Sequence, residues 1–387
     1  MQQEDSLSEI LQQAVLLRQH LHQNPELSGK EFGTTKYIRS FIEKTEPSQI
    51  IDLARDTGLA AIYHSQQPGP VILFRADTDA LPFKETQEIP FFSGGKGVAH
   101  QCGHDGHSAI LAGLALMLKQ NQLQRGKVIL LFQPSEENGK GAEMILNDAA
   151  FADIKPDYVF ALHNLPGFEK GSIVVNSNVF ASASRGMIIR FTGKPAHAAY
   201  PEHGISPADA LATTIRKLNK LCSYYEMFSS FVLLTVVHAE MGEAGFGSSP
   251  ADALIMATMR SHDDHDMKIM ILEAKQMVKE IAAQYHLKFS IEWSDEFNST
   301  VNDPEAVKVV AEAAKMNEFP VITKVEPFRW SEDFGRFTQK YKGAMFGLGA
   351  GKEHPPLHSE VYEFPDDIIA TGIKMFWGII QQILSKE

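Results

Sequence analysis

Four short apolar runs in this chain each end in a burst of polar residues. VILFR (71 to 75) leads into ADTDALP, VILLF (128 to 132) into QPSEENGKG, YVFAL (158 to 162) into HNLPG, and AMFGLG (344 to 349) into AGKEHPPLHSE. Runs of this length and type read as strands, and helical patterns at 106 to 120 and 139 to 149 separate the first three. Strands alternating with helices imply an α/β fold: a central, mostly parallel sheet with helices on both faces. In such sheets ligands bind outside the carboxyl ends of the strands. The four polar bursts are therefore expected to share one crevice.

From about Gly186 the pattern changes. Strand (MIIRFTG), loop (KPAHAAYPEHGIS), helix (PADALATTIRKLNKLCSYYE), strand (FVLLTVVHAE), strand (ADALIMATMRS), helix (DDHDMKIMILEAKQMVKEIAAQYH) and strand (KFSIEWS) follow one another. That order suits a small α+β sandwich inserted into the larger domain. The expected boundaries are 1–184 for the first part of the catalytic domain, 185–295 for the insertion and 296–387 for the return. A chain of 387 residues is long enough to need two domains.

Composition excludes several partners. The formal charge of −12 offers no basic footprint for a phosphate backbone, so no nucleic acid is expected. The longest apolar run, Ile110 to Leu118, is too short to cross a bilayer, and MQQEDS does not resemble a secretory signal. Two cysteines do not make a disulfide scaffold. No membrane association and a cytoplasmic address are the expectation.

One of those two cysteines lies in HQCGHDGH (100 to 107), among three histidines and an aspartate. On an extended loop Cys102 and His104, two apart, put their side chains on the same side. Thiolate and imidazole are good ligands for zinc and related divalent ions. Glu136, Glu137, His163 and His358 each stand just past a strand end. So many acidic and imidazole groups in one crevice would repel or be poorly solvated without a cation between them. Singly, each has a plainer reading: a surface histidine, a packing cysteine, a glutamate favouring a helix start. Their coincidence in one crevice points to a metal centre.

HQCGHDGH, FQPSEENGKGAEMIL, ALHNLPG, GKPAHAAYPEHG and PPLHSEVYEFPDD, in this order, resemble the M20 metallopeptidase family, and specifically its amidohydrolase branch of hippurate, N-acyl-amino-acid and indoleacetyl-amino-acid hydrolases. The likeness runs from LRQHLHQNPELSGKE through essentially the whole chain. It implies a metal-dependent exopeptidase-like catalytic domain with an inserted lid and dimerisation domain. It also implies two divalent ions, manganese or zinc with nickel and cobalt as alternatives, bridged by Cys102. Glu137 and His358 would complete one site, His104 and His163 the other, with Glu136 as general base. Asp77, Asp79 and Asp105 look like residues that orient the ligating imidazoles, or like turn and helix-cap residues. His197 matches a histidine that reaches a partner's site in a homodimer and stabilises the tetrahedral oxyanion. Arg260 is a candidate grip on a substrate carboxylate.

The expected reaction is hydrolysis of the amide bond of an N-acyl amino acid, by water activated between metal and Glu136. Alternatives are a dipeptidase or carboxypeptidase of the same superfamily, an N-acetyl-diaminopimelate-type deacetylase, and a non-catalytic metal-binding scaffold. Departures from the family pattern fall on the substrate side: PEHGISP, with Ser206 where Asp is common and the histidine displaced to His203; GSSPAD from Gly247; and the bulky Trp330.

Overall fold

A computed structural model describes residues 2–86, 89–94, 97–223 and 225–385. The chain divides into two compact units. One comprises residues 1–180, 300–326 and 333–387, the other 181–299 and 327–332.

The larger unit is built on an eight-stranded sheet. In spatial order its strands are Gln49–Leu53, Gly58–His64, Lys127–Gln133, Val71–Asp77, Tyr158–Pro166, Lys342–Gly351, Ile173–Val175 and Val321–Thr323. The four from Lys127–Gln133 to Lys342–Gly351 run parallel, and they are the four runs that end in polar bursts. Their neighbours on either side join antiparallel, so the sheet is mixed. The connection from Leu53 to Gly58 is too short for anything but an antiparallel pair.

Each of the four parallel strands is buried at nearly every position, which requires cover on both faces. Helices Gln2–Gln23, His104–Gln120 and Ile369–Leu384 pack on one another over this sheet, with Phe376 4.7 Å from Phe74, ring to ring. A Cβ on Gly113 would stand 2.2 Å from Ile373 Cδ1, so this close helix approach needs glycine. Truncating a buried phenylalanine such as Phe376 to alanine costs about 3–5 kcal/mol.

Val71–Asp77 has Lys127–Gln133 on one side and Tyr158–Pro166 on the other. The winding therefore reverses at this strand and opens a crevice beyond its carboxyl end. Two local expectations need correction. Tyr158–Pro166 does not stop at Leu162: it stays paired beyond it, with His163 opposite Gly347, so His163 belongs to the strand and not to the loop after it. Nor is Cys102–His104 extended. Gly103 adopts φ +89° and His104 is already the first residue of the helix.

The smaller unit is a four-stranded antiparallel sheet ordered Val232–Met241, Asp252–Ser261, Ala183–Thr192, Lys288–Phe297, with helices Ala208–Leu221 and Asp264–Gln284. Along Asp252–Ser261 fully buried residues alternate with partly exposed ones. One face is thus covered, by Leu218, Met270, Val278 and Ile281 packed against Ile189, Phe191, Ile255 and Met259. Asp263 caps the second helix by accepting hydrogen bonds from the N–H groups of His265 and Asp266. Among the described residues no helix is long and apolar enough to cross a membrane.

Candidate metal centre

At the carboxyl ends of the parallel strands, two groups of ligand atoms share one sulfur. Cys102, His104 and His163 form the first and Cys102, Glu137 and His358 the second, each with its donor atoms within 4.8 Å of one another. All five residues lie in the larger unit. They come from the turn before helix His104–Gln120 and that helix's first residue, the strand Tyr158–Pro166, the turn after Lys127–Gln133 and the loop after Lys342–Gly351. Gly103 makes the first turn possible. A Cβ there would stand 2.5 Å from Asn164 Nδ2 and 2.6 Å from the Tyr362 hydroxyl, at a φ other residues resist.

The imidazoles are held so that one nitrogen of each faces the cluster. His104 Nδ1 donates to the Asp79 carbonyl at 2.9 Å, and its buried Nε2 has no hydrogen-bond partner. His163 Nδ1 donates to the Asn164 carbonyl at 2.8 Å, leaving Nε2 3.5 Å from Cys102 Sγ. Glu137 Oε1 is also buried without a hydrogen bond, 3.7 Å from both His104 Nε2 and His358 Nε2. Donors about 2 Å from one tetrahedral ion stand roughly 3–3.5 Å apart. Unsatisfied buried atoms facing one another at nearly that span fit a cation better than a hydrogen-bond network.

The electrostatics agree. Burial, with Asp79 and Asp77 close by, pushes the Glu137 carboxyl up to about 7. Burial and Glu137 push the Cys102 thiol well above its usual range. Burial opposes charge on His104, yet Asp77 and Cys102 outweigh it and raise that imidazole strongly. Burial and His107 hold His163 neutral, the ligating form. The shifts at Glu137, Cys102 and His104 register a demand for positive charge at the centre, which a metal meets while deprotonating the thiol. The donor set of one thiolate, three imidazoles and a carboxylate therefore fits divalent metal.

Around these groups stands a buried frame. Asp77 Oδ1 accepts from His107 Nδ1 at 2.7 Å, and its other oxygen accepts from Arg75 at 2.7 Å. His107 Nε2 in turn accepts from the Asn164 N–H at 3.0 Å. Each Asp77 oxygen and each His107 ring nitrogen thus already has a hydrogen-bond partner, although both residues also lie close to His104. Asp79 Oδ2 accepts from the Glu137 N–H at 3.0 Å. Asp105 behaves differently from the expectation that it orients a ligating imidazole: it accepts from His22 Nδ1 at 2.8 Å and Arg18 at 3.3 Å. The reason is helical geometry. His104 and His107 are three apart and share a face, whereas residue 105 is turned about 100° away, toward helix Gln2–Gln23.

Glu136 is buried and accepts from the Asp333 N–H at 3.3 Å. The Asp333 carboxylate accepts from Arg75 at 2.8 Å, from Gln133 at 2.9 Å and from the Ala142 N–H at 2.7 Å. Sequence reading passed over Arg75, Gln133, Asn164 and Asp333. An arginine closing an apolar run and the acidic SEDF after Trp330 were the signals available.

The remaining expected residues lie in the smaller unit. His197 is exposed, on a two-residue ribbon whose partner is Ser248–Ser249, and its Nδ1 accepts from the Ala199 N–H at 3.1 Å. Arg260 Nη1 donates to the Arg329 carbonyl and to Ser331 Oγ, both at 3.0 Å. Trp330 stacks on Phe328, ring centroids 4.9 Å apart.

Comparison with known proteins places this geometry. Residues 73–382 match the model of peptidase family M20/M25/M40. The N-acetyl-L-cysteine deacetylase of Bacillus subtilis strain 168 is 33% identical over 354 residues, covering 90% of this chain and 83% of that protein. The crystal structure of the B. subtilis YXEP protein, described as a dinuclear metal binding peptidase of the M20 family, superposes with a TM-score of 0.82 at 26% identity over 98% of this chain and 99% of that one. An aminobenzoyl-glutamate utilization protein from Klebsiella pneumoniae shares the fold, with a TM-score of 0.75 at 21% identity over 100% and 98% of the two chains. With two ligand groups meeting at one buried cysteine and a family match over most of its length, this chain is a hydrolase of the M20/M25/M40 peptidase family.

Proposed function

We propose that this hydrolase belongs to the amidohydrolase branch of its family and releases amino acids from N-acyl conjugates such as N-acetyl or N-benzoyl amino acids. The observation that carries this reading is the sharing of Cys102 between the two ligand groups. Cys102 would bridge two divalent ions, manganese or zinc, with nickel and cobalt as substitutes. His104 and His163 would complete one site, Glu137 and His358 the other. When bound, the ions polarise the scissile carbonyl and lower the pKa of water toward neutrality.

The chain's own groups supply the proton traffic. Glu136, next to the Glu137 ligand but held by the Asp333 N–H, takes a proton from the attacking water. It then passes that proton to the leaving amine nitrogen, so one carboxylate serves as base and acid in turn. His197 would donate to the oxyanion from the partner subunit of a homodimer formed through the smaller unit, which thereby acts as the dimerisation domain. Arg260, with Nη1 already committed, would offer its other N–H groups to the substrate carboxylate. The N-acetyl-L-cysteine deacetylase relative supports an N-acyl amino acid as the substrate class.

The test is a metal count on protein purified without chelator, followed by assay against N-acetyl, N-benzoyl and indoleacetyl amino acids beside unblocked dipeptides. Amine release from the blocked substrates is the expected result. Release from dipeptides alone moves the enzyme to the peptidase side of the family, and no release by metal-loaded protein overturns the reading.

A further inference from the structure

The N-terminal stretch PELSGKE (25 to 31) has no role in the chemistry so far, yet its last residue is a fully buried carboxylate. Glu31 Oε1 accepts two backbone hydrogen bonds, from the Gly29 N–H at 2.9 Å and from the Ser135 N–H at 2.8 Å. Ser135 directly precedes Glu136 and Glu137, and it sits at φ +56°, a conformation that a residue with a side chain rarely adopts. Such backbone persists only where its surroundings over-determine it.

The same stretch grips the neighbouring loop. The Glu26 carbonyl accepts from the Ala80 N–H at 2.8 Å, and Ser28 Oγ donates to Asp79 Oδ2 at 2.7 Å. That oxygen is the one that accepts from the Glu137 N–H. Residues 26 to 31 therefore hold the Glu136–Glu137 turn from two directions. Adjacent residues can serve as base and as ligand only if their side chains diverge, and the backbone at 135 sets how they leave the turn.

We infer that Glu31 is a positioning residue: by accepting the Ser135 N–H it locks the left-handed turn that sends Glu136 and Glu137 to different tasks. The role needs an acceptor at a given reach and does not need the negative charge. Oε2, buried and without a hydrogen-bond partner, is dispensable in this respect. The inference deepens the functional reading above and rests on its assignment of Glu136 and Glu137.

A crossed pair of substitutions separates reach from charge. Glu31→Gln keeps the accepting oxygen in place with two lone pairs and removes the charge. Glu31→Asp keeps the charge and withdraws the acceptor by one methylene. Both are compared with the parent chain for thermal stability, for zinc affinity by competition with a chelating dye, and for kcat and KM at saturating metal. Glu31→Gln should resemble the parent in zinc affinity and kcat. Glu31→Asp should lose on the order of 10- to 100-fold in each while remaining folded, with KM moving less than kcat.

Any other ranking overturns the inference: equal loss in both variants, loss in neither, or a better Glu31→Asp. A Glu31→Asp chain that fails to fold overturns it too, because the residue would then serve global stability. The zinc readout needs no substrate. If the parent releases no amine from any N-acyl amino acid, the functional reading falls while the order of zinc affinities still decides the role of Glu31.

Discussion

In the larger unit His104 and His163 are buried, and each has one ring nitrogen committed to a backbone carbonyl. In the smaller unit His197 is exposed, and its recorded hydrogen bond joins it to Ala199, two residues on. The first arrangement fixes geometry by burying polar groups, and any partner removed leaves a desolvated orphan. The second leaves its histidine free to meet a group outside its own unit at little cost to folding. Substitutions in the crevice should therefore disturb stability, metal and turnover together, except where a residue carries only chemistry. Substitutions at His197 should disturb turnover alone.

The sharpest exception is Glu136. Glu136→Gln should keep its metal and lose turnover by on the order of 10² to 10⁴, since the substitution removes the proposed proton acceptor and no proposed ligand. Glu137→Gln should instead bind metal much more weakly, with activity following occupancy. Metal analysis beside kcat on both variants tests this; an emptied site in Glu136→Gln would exchange the two roles.

Next in size is the frame. Arg75→Met leaves Asp77 and Asp333 buried without their shared cation, and unfolding in urea should show a loss of about 3–5 kcal/mol. A loss under 1 kcal/mol would mean that the frame is not what rigidifies the crevice.

His22 probes the same contrast by pH. Burial pulls its imidazole down, but hydrogen bonds to Asp105 and Glu85 prevail and lift it to about 9. A folded-state value above the unfolded value of about 6.5 gives stability that is complete below pH 6.5 and lost as pH rises through about 9. The amount is about 3 kcal/mol. Urea unfolding on either side of that window should show the alkaline loss in the parent and a flattened profile in His22→Gln; identical profiles refute it.

At the small end, His197→Ala should lower kcat by about 10² with unchanged metal content and melting temperature. Mixed with Glu136→Ala chains it should regain part of the activity, since one hybrid site would be intact. Heterodimers that form and stay inactive would refute a role across subunits.

Much of this was legible before any coordinates. A strand covered on both faces reads as an unbroken apolar run, so the four parallel strands and their polar ends stood out, and the antiparallel flanks did not. Three of the five grouped residues, Glu137, His163 and His358, were nameable because they lie in those bursts, and Cys102 and His104 because HQCGHDGH is dense in metal-binding residue types. Arg75, Asp333 and Glu31 were not. Arg75 looked like the polar end of a strand, and its partner Asp333 is 258 residues away. Glu31 acts on Ser135, 104 residues distant, through a backbone N–H that leaves no trace in composition. Asp105 was expected beside a ligating imidazole, and the helix turns it instead toward Arg18 and His22.

The larger unit is assembled from three separate stretches of chain, and its last stretch supplies Asp333, the strand Lys342–Gly351 and His358. During translation, Cys102, His104, Glu137 and His163 emerge well before His358, by roughly 10–40 s at ordinary elongation rates. Residues 181–299, the bulk of the smaller unit, are contiguous and can fold in that interval. Until that last stretch is made, the strand Lys342–Gly351 and His358 are missing from the crevice. The proposed metal centre is thus completed last, by the C-terminal stretch that carries His358.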